Sequence, residues 1–285
     1  MTAPVAASTR VLALLGDPVS HSLSPLLQNA AIRALYLDGV YVALRCSGDD
    51  LPGLLRGLAR AGGGGNVTVP HKEAAFRAVD RRTAAAEATG AVNTFWLAEG
   101  EVWGDNTDVE GFTAAVRVLL GRSIAGGRAL VLGAGGAARA VVHALTSHAV
   151  KEIVIVNRTG ERARELAQRF AHGRTRIEVV GSVDALGAGA FDLAVNATSL
   201  GLHSGDPLPL DPAAAPPIEA ALDLVYARGG ETRWVRAMSA HGIPTADGTE
   251  MLLHQGAAAF RRWWSIDPPL DVMRAALRED AALAD

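Results

Sequence analysis

Cys46 is the only cysteine in 285 residues, which excludes an intramolecular disulfide and any multi-cysteine metal site. A reducing compartment is compatible with that count. An excess of positive charge is also missing: 27 Lys and Arg stand against 30 Asp and Glu, and the arginines are interspersed with acids. The electrostatic footprint of a nucleic-acid binder is therefore absent, and small molecules are the expected ligands. No uninterrupted apolar run approaches the roughly 18 residues of a membrane span. The opening "MTAPVAASTRVLALLGDPVS" has no basic segment before its short apolar run. The expectation is a soluble, cytoplasmic protein without a membrane or nucleic-acid partner. The histidines, including His21 and His71, have no ligand-cluster spacing, so no metal is expected. No internal repeat occurs at a fixed period.

What is present is an ordinary globular composition, 49% hydrophobic and 20% charged, enough for a substantial core. The length exceeds the usual single-core size and points to about two domains. "VLALLG" reads as a buried strand. "SPLLQNAAIRAL" follows as a helix with Ser24 as N-cap and Pro25 at its first position. "GVYVALRC", "DDLPGLLRGLARAG", "GNVTVP" and "KEAAFRAVD" continue strand, helix, strand, helix, an α/β layer with parallel strands. In "NVTVPHK", Val67 and Val69 are expected on one packed face, Thr68 on the ligand side, and Pro70 at the strand end. Lys72 then falls in the first turn of a helix. A cation there meets the positive end of the macrodipole, at a cost of about 0.3–1 kcal/mol, so something must offset it.

"AVNTFWLAEGEVWGDNTD" reads differently, as two apolar-aromatic runs around a hairpin turn at Glu99-Gly100. Paired residue numbers then sum to 199, placing Asn93 opposite Asn106 and diagonal to Asp108, about 7–8 Å apart on one sheet face. After the helix "DVEGFTAAVRVLL" come the strands "RALVLG", "EIVIVN", "RIEVV", "FDLAVNAT" and "ALDLVY", a doubly wound dinucleotide-domain pattern. "LPLDPAAAPPIEA" reads as a surface connection within it. The helices "EMLLHQGAAAFRRWW" and "PLDVMRAALRED" end the chain.

The loop "GAGGAA" places Gly133, Ala134, Gly135, Gly136 and Ala137 between a strand and a helix. Small residues let backbone approach a pyrophosphate, and the helix start supplies free N–H groups. The next strand ends in Asn157, Arg158 and Thr159, with Arg162 one turn on, where an NAD site usually has an acid. A guanidinium there receives a 2′-phosphate, so NADP is preferred over NAD. The alternative is that both arginines are solvated surface charges. Thr198, in "NATSLGL", sits at the carboxyl edge of the fourth strand and either lines the nicotinamide half or caps its own loop.

Taken together and in order, "HSLSP", "NVTVPHK", "GAVNT" with "GDNTD", "GAGGAA", "NRTGER" and "DGTEMLLHQ" resemble shikimate dehydrogenase over essentially the whole chain. The resemblance implies NADP-dependent, reversible reduction of 3-dehydroshikimate to shikimate in aromatic amino acid biosynthesis. It implies an α/β fold with an N-terminal substrate domain, residues 1–107 with 246–285, and a Rossmann-type NADP domain, residues 108–245, the active site lying in the cleft between them. Lys72 and Asp108 match the catalytic pair. Ser22 and Ser24 match the serines that bind the substrate carboxylate; Ser24 has a competing role as helix cap, Ser22 less of one. Thr68, Asn93 and Gln255 match hydroxyl-binding positions, and Tyr226 the tyrosine near the carboxylate. Gly248 and Met251 match the nicotinamide edge. Each of these also has a plain structural role open to it. Two departures stand out: "RAGGGG" before "NVTVP" replaces a bulky apolar residue and predicts a looser approach to the lysine, and Thr249 replaces a frequent leucine. A paralogue acting on quinate or an amino-analogue, and a catalytically silent ligand-binding regulator, are the competing functions. Monomer and homodimer are both compatible.

Overall fold

The computed structural model describes residues 5–187, 189–203, 205–227 and 230–282. The chain divides into two compact units, Met1–Gly111 with Leu252–Asp285, and Phe112–Met251. Both divisions fall inside helices, a few residues beyond the boundaries expected from sequence.

The first unit is built on strands β1 (Arg10–Gly16), β2 (Gly39–Arg45), β3 (Gly64–Val67), β4 (Arg81–Arg82), β5 (Thr94–Ala98) and β6 (Glu101–Asp105). Their order in the sheet is β2-β1-β3-β5-β6-β4. Helices α1 (Ser24–Ala34), α2 (Leu51–Arg60), α3 (Lys72–Ala78) and α4 (Ala84–Thr89) lie between the strands, and α9 (Thr249–Trp264) and α10 (Leu270–Ala282) return from the far end of the chain. β1 pairs in parallel with both β2 and β3. β3 and β5 are antiparallel, so the sheet is mixed rather than parallel throughout. The hairpin β5–β6 turns through Glu99 and Gly100, both at positive φ, as a two-residue primed turn requires. Its register is the expected one, from Thr94↔Asp105 to Ala98↔Glu101. That register brings Asn93 and Asn106 to the same sheet end, but the ladder stops at Asp105 and Asp108 opens α5 instead of standing diagonal to Asn93 on the sheet face.

Two further local expectations fail. β3 stops at Val67 rather than at Pro70, and Val69 is 65% exposed instead of sharing a buried face with Val67. The backbone explains this. Thr68 N donates to Leu15 O, after which Asp17 N reaches Val69 O and His71 N reaches Thr68 O, turning the chain out of the sheet. The glycine run is also not loose. A Cβ on Gly65 would lie 1.9 Å from the Ala13 carbonyl oxygen, and one on Gly63 2.2 Å from that of Val11. At Gly64 the indole of Trp263 occupies the space a side chain would take, while its Nε1 donates to Phe95 O at 3.1 Å.

The second unit has strands β7 (Arg128–Leu132), β8 (Glu152–Val156), β9 (Arg176–Val180), β10 (Leu193–Asn196), β11 (Ala221–Asp223) and β12 (Thr245–Ala246), with helices α5 (Asp108–Leu120, shared with the first unit), α6 (Gly136–Ser147), α7 (Gly160–Phe170) and α8 (Arg233–Ala240). The strand order is β12-β11-β10-β7-β8-β9, every neighbouring pair parallel. This is the doubly wound Rossmann order, whose winding reverses between its first and fourth strands, here β7 and β10. Ligands bind such sheets in the crevice at the carboxyl ends of those strands. Alternating apolar residues of β7, β8 and β10 with Trp234 and Met238 of α8 fill the core beneath.

Gly65→Ala should lower the unfolding free energy by about 3 kcal/mol or more, since backbone stands where its methyl must go. Gly57→Ala, on α2 with nothing within 4 Å of the new methyl, should raise it by about 0.5–1 kcal/mol. Urea denaturation checks both signs.

Candidate active site

Lys72 opens α3 and Asp108 opens α5. Their side chains meet, Lys72 Nζ donating to Asp108 Oδ2 at 2.6 Å, with only 16% and 7% of each left exposed. The carboxylate is what offsets the unfavourable position of the cation at a helix start. Glu73 adds a second acid in the same turn. The backbone fixes both ends of the contact. Lys72 O accepts from Val92 N at 3.0 Å, and Asp108 N donates to Asn106 Oδ1 at 3.2 Å.

Asn93 stands on the other side of the Asp108 carboxylate and is almost fully buried. Its Oδ1 accepts from Thr107 N at 2.8 Å, which orients the amide so that Nδ2 faces Asp108 Oδ1 at 2.8 Å and Gln255 Oε1 at 3.4 Å. Each oxygen of Asp108 thus has its own donor: Lys72 on one, Asn93 on the other. Gln255, on α9, turns its Nε2 back to Leu252 O at 2.9 Å. Lys72, Asp108, Asn93 and Gln255 therefore form one connected group. Thr68 is half-buried just beyond β3.

Ser22 and Ser24 adjoin each other with roles reversed from the sequence reading. Ser24 is the first residue of α1, not its cap; the cap position is Leu23, which makes no side-chain bond. Ser22 Oγ accepts from Ser24 N at 3.2 Å. The hydroxyl of Ser24 is thereby relieved of capping, and that of Ser22 keeps its proton to donate.

In the second unit, Gly133 ends β7 at φ +108, and a Cβ on it would lie 2.8 Å from Ala197 O and 3.1 Å from Thr198 Cγ2. Only glycine fits this approach of the β7 and β10 ends. Gly135 caps α6 through its backbone, with open space where a side chain would be. Ala134, Gly136 and Ala137 complete a cradle of small residues around free N–H groups. Asn157 Nδ2 donates to Thr159 O at 2.7 Å, shaping the turn after β8. Arg158, Thr159 and Arg162 are exposed, and neither arginine is ion-paired among the described residues. Thr198 is committed to its loop: Oγ1 donates to Asn196 Oδ1 at 2.7 Å and accepts from Leu200 N at 3.0 Å. Its methyl and neighbouring backbone remain the surfaces nearest Gly133. Gly248 fits where a Cβ would be 2.3 Å from Leu224 O and 3.4 Å from Tyr226 Cδ1, and Met251 is buried at the start of α9.

A family model described as the shikimate dehydrogenase substrate binding domain matches residues 14–95. One described as shikimate / quinate 5-dehydrogenase matches 116–200, and one described as the shikimate 5'-dehydrogenase C-terminal domain matches 248–278. The shikimate dehydrogenase (NADP(+)) of Rubrobacter xylanophilus is 44% identical over 274 residues, 94% of this chain and 95% of its own. The chain belongs to the shikimate dehydrogenase family. Among solved structures, the shikimate dehydrogenase of Aquifex aeolicus is similar at TM-score 0.85 and 35% identity, covering 96% of this chain and 100% of its own. The shikimate 5-dehydrogenase of Thermus thermophilus, in complex with NADP(H) and shikimate, is similar at TM-score 0.83 and 38% identity, covering 95% and 99%.

Sequence reading does not find the buried polar layer behind Lys72 and Asp108. Tyr41 Oη donates to Asn66 Oδ1 at 2.7 Å, and Asn66 Nδ2 donates to Asn93 O at 3.0 Å and Thr94 Oγ1 at 2.9 Å. Arg262 of α9 holds Asp105 Oδ2 at 2.8 Å, while Asp105 Oδ1 accepts from Thr83 Oγ1 and from Asn106 N at 2.7 Å. The signal for this layer is polar residues at strand positions otherwise apolar, Asn66 and Thr94 above all. A second overlooked signal is lysine usage, since Lys72 and Lys151 are the chain's only lysines. Arginine serves everywhere else, and arginine does not give up a proton.

Ser22→Ala should destabilise the fold by about 1 kcal/mol through loss of the acceptor for Ser24 N–H, whereas Ser24→Ala should leave the melting temperature nearly unchanged. Thermal unfolding of the two variants side by side checks the assignment.

Proposed function

We propose that this chain catalyses the NADP-dependent, reversible reduction of 3-dehydroshikimate to shikimate, with Lys72 and Asp108 as its catalytic pair. The observation that carries the reading is the 2.6 Å contact between Lys72 Nζ and Asp108 Oδ2, its second oxygen held by Asn93. NADPH supplies the hydride when bound. The residues present fit that group: a backbone cradle open at Gly135, a close approach that only Gly133 allows, and two guanidiniums, Arg158 in the turn after β8 and Arg162 in the first turn of α7, unpaired among the described residues, for a 2′-phosphate.

As hydride reaches the ketone carbon, negative charge develops on its oxygen. The Lys72 ammonium stabilises that charge and donates the proton. In the oxidative direction the neutral amine takes the proton from the hydroxyl. Asp108 orients Nζ and accepts from a ring hydroxyl. Asn93, Gln255 and Thr68 supply the remaining directed donors and acceptors for a polyhydroxylated ring. Ser22 and Ser24 hydroxyls, beside the start of α1, receive the substrate carboxylate, with Tyr226 as a further donor. Gly248, Met251 and Thr198 border the nicotinamide. Such a reaction, with one cysteine and no need of disulfides, suits the cytoplasm. Quinate is the second reading, because the matching model of residues 116–200 is described for both substrates.

Steady-state rates with shikimate and quinate, each with NADP and NAD, test the proposal. The expected outcome is the highest kcat/KM for shikimate with NADP; preference for quinate with NAD overturns it. Lys72→Met should lower kcat by about 10²–10⁴-fold while NADP affinity stays near wild type, and unchanged turnover would remove the lysine from the mechanism. Arg158→Ala should weaken NADP by about 10- to 100-fold and NAD little, measured as the ratio of the two KM values.

A further inference from the structure

Asp223 is a fully buried acid, and no cation pairs with it among the described residues. It ends β11 at the carboxyl edge of the Rossmann sheet, the edge where such sheets receive their ligands. A buried charge in that place needs a reason, since burying it costs stability and like charge repels phosphate.

Its contacts supply one. Asp223 Oδ1 accepts from Asn196 Nδ2 at 2.8 Å and from Val225 N at 3.0 Å, and Oδ2 accepts from Thr232 Oγ1 at 2.7 Å. Each donor governs a different segment. Asn196, itself fully buried, ties down the whole loop after β10: its Oδ1 accepts from Thr198 N at 3.1 Å and Thr198 Oγ1 at 2.7 Å, and its Nδ2 donates to Leu200 O at 3.0 Å. That loop is the one whose Ala197 carbonyl and Thr198 methyl press against Gly133. Val225 lies in the loop after β11; its carbonyl accepts from Gly248 N at 3.1 Å, and the chain leads on into Tyr226. Thr232 caps α8, accepting from Val235 N at 3.2 Å. Fixed loops at a strand edge are what a hydride donor and acceptor need to keep their geometry.

We infer that Asp223 is a positioning residue for the cofactor, acting through Asn196 and Val225 to hold the loops after β10 and β11 in the shape that receives the nicotinamide half of NADP. This rests on the proposed NADP reading of those loops. The role is geometric, not electrostatic. Asparagine at 223 can keep Oδ1 as acceptor for Asn196 and Val225 and turn its Nδ2 toward Thr232 Oγ1, whose hydroxyl reorients. Burial raises the Asp223 carboxyl above its ordinary range against the lowering effect of its three donors. Ionising the buried carboxyl therefore carries a stability cost that grows as pH rises through the raised range, and asparagine, which does not ionise, escapes it.

The test compares Asp223→Ala, Asp223→Asn and Thr232→Ala in the full chain, using calorimetric titration with NADP, steady-state rates and melting temperature. Asp223→Ala should weaken NADP binding by about 10- to 100-fold and raise the KM for shikimate by much less, since Tyr226 is only one donor beside Ser22 and Ser24. Asp223→Asn should restore wild-type affinity. Thr232→Ala, which removes the α8 cap and one contact only, should lower the melting temperature by a few degrees with NADP affinity intact. If Asp223→Ala does not fold, Asp223→Ser, which keeps an oxygen near Val225 and loses the reach to Asn196, is read in the same way. An alanine or serine variant that loses melting temperature alone overturns the inference. So does an asparagine variant as impaired as the alanine one. Wild-type NADP binding without shikimate turnover would instead count against the proposed reaction and leave this inference standing.

Discussion

One carboxylate, that of Asp108, joins the parts of the first unit that matter most. One oxygen takes the Lys72 ammonium at the start of α3, and the other takes the Asn93 amide just before β5. Asp108 itself is set by the hairpin register and by Asn106 at the start of α5. Remove it and a nearly buried ammonium has no counter-charge, a situation proteins relieve by moving or neutralising the group. The buried polar layer behind it, from Tyr41 through Asn66 to Thr94, has a matching purpose: its donors and acceptors are paired along the chain of contacts, which permits only one arrangement of the Asn93 amide.

The second unit solves a different problem with backbone rather than charge. The carboxyl edge of its sheet depends on how closely the ends of β7 and β10 approach, which Gly133 permits and Asn196 maintains. Proteins that bind phosphate-rich ligands through N–H groups and small residues need such edges to be stiff, because no side chain is available to correct an error. Asp223 beneath the edge is the matching stiffener. In both units, then, a buried acid gathers donors from several separate segments.

Much of this is legible in the sequence. The hairpin register follows from placing the turn at Glu99-Gly100, and with it the nearness of Asn93 and Asp108, although Asp108 reaches Asn93 from the start of α5 rather than from the sheet face. The strand order of the second unit follows from a strand-helix alternation with a glycine loop at its first turn. Failures come where tertiary contacts decide. The reach of β3 escapes a local reading because the turn after Val67 is held by bonds to residues 15 and 17, remote in sequence. The glycine run reads as slack because the carbonyls and the Trp263 ring that fill its space come from elsewhere in the chain. Ser24 resembles a cap because its residue type and the following proline fit one, while the bond from its own N–H to Ser22 is invisible. Asp223 looks like an ordinary strand-end acid, since burial and three separate donors cannot be read from one position.

The central claim is that Lys72 and Asp108 act as a unit in proton transfer. A double-mutant cycle on kcat/KM for shikimate, using Lys72→Met, Asp108→Asn and the double variant, tests it most directly. The account predicts grossly non-additive losses, the double variant being no slower than the slower single one. Losses that multiply across the two sites would contradict it, showing two residues that contribute independently.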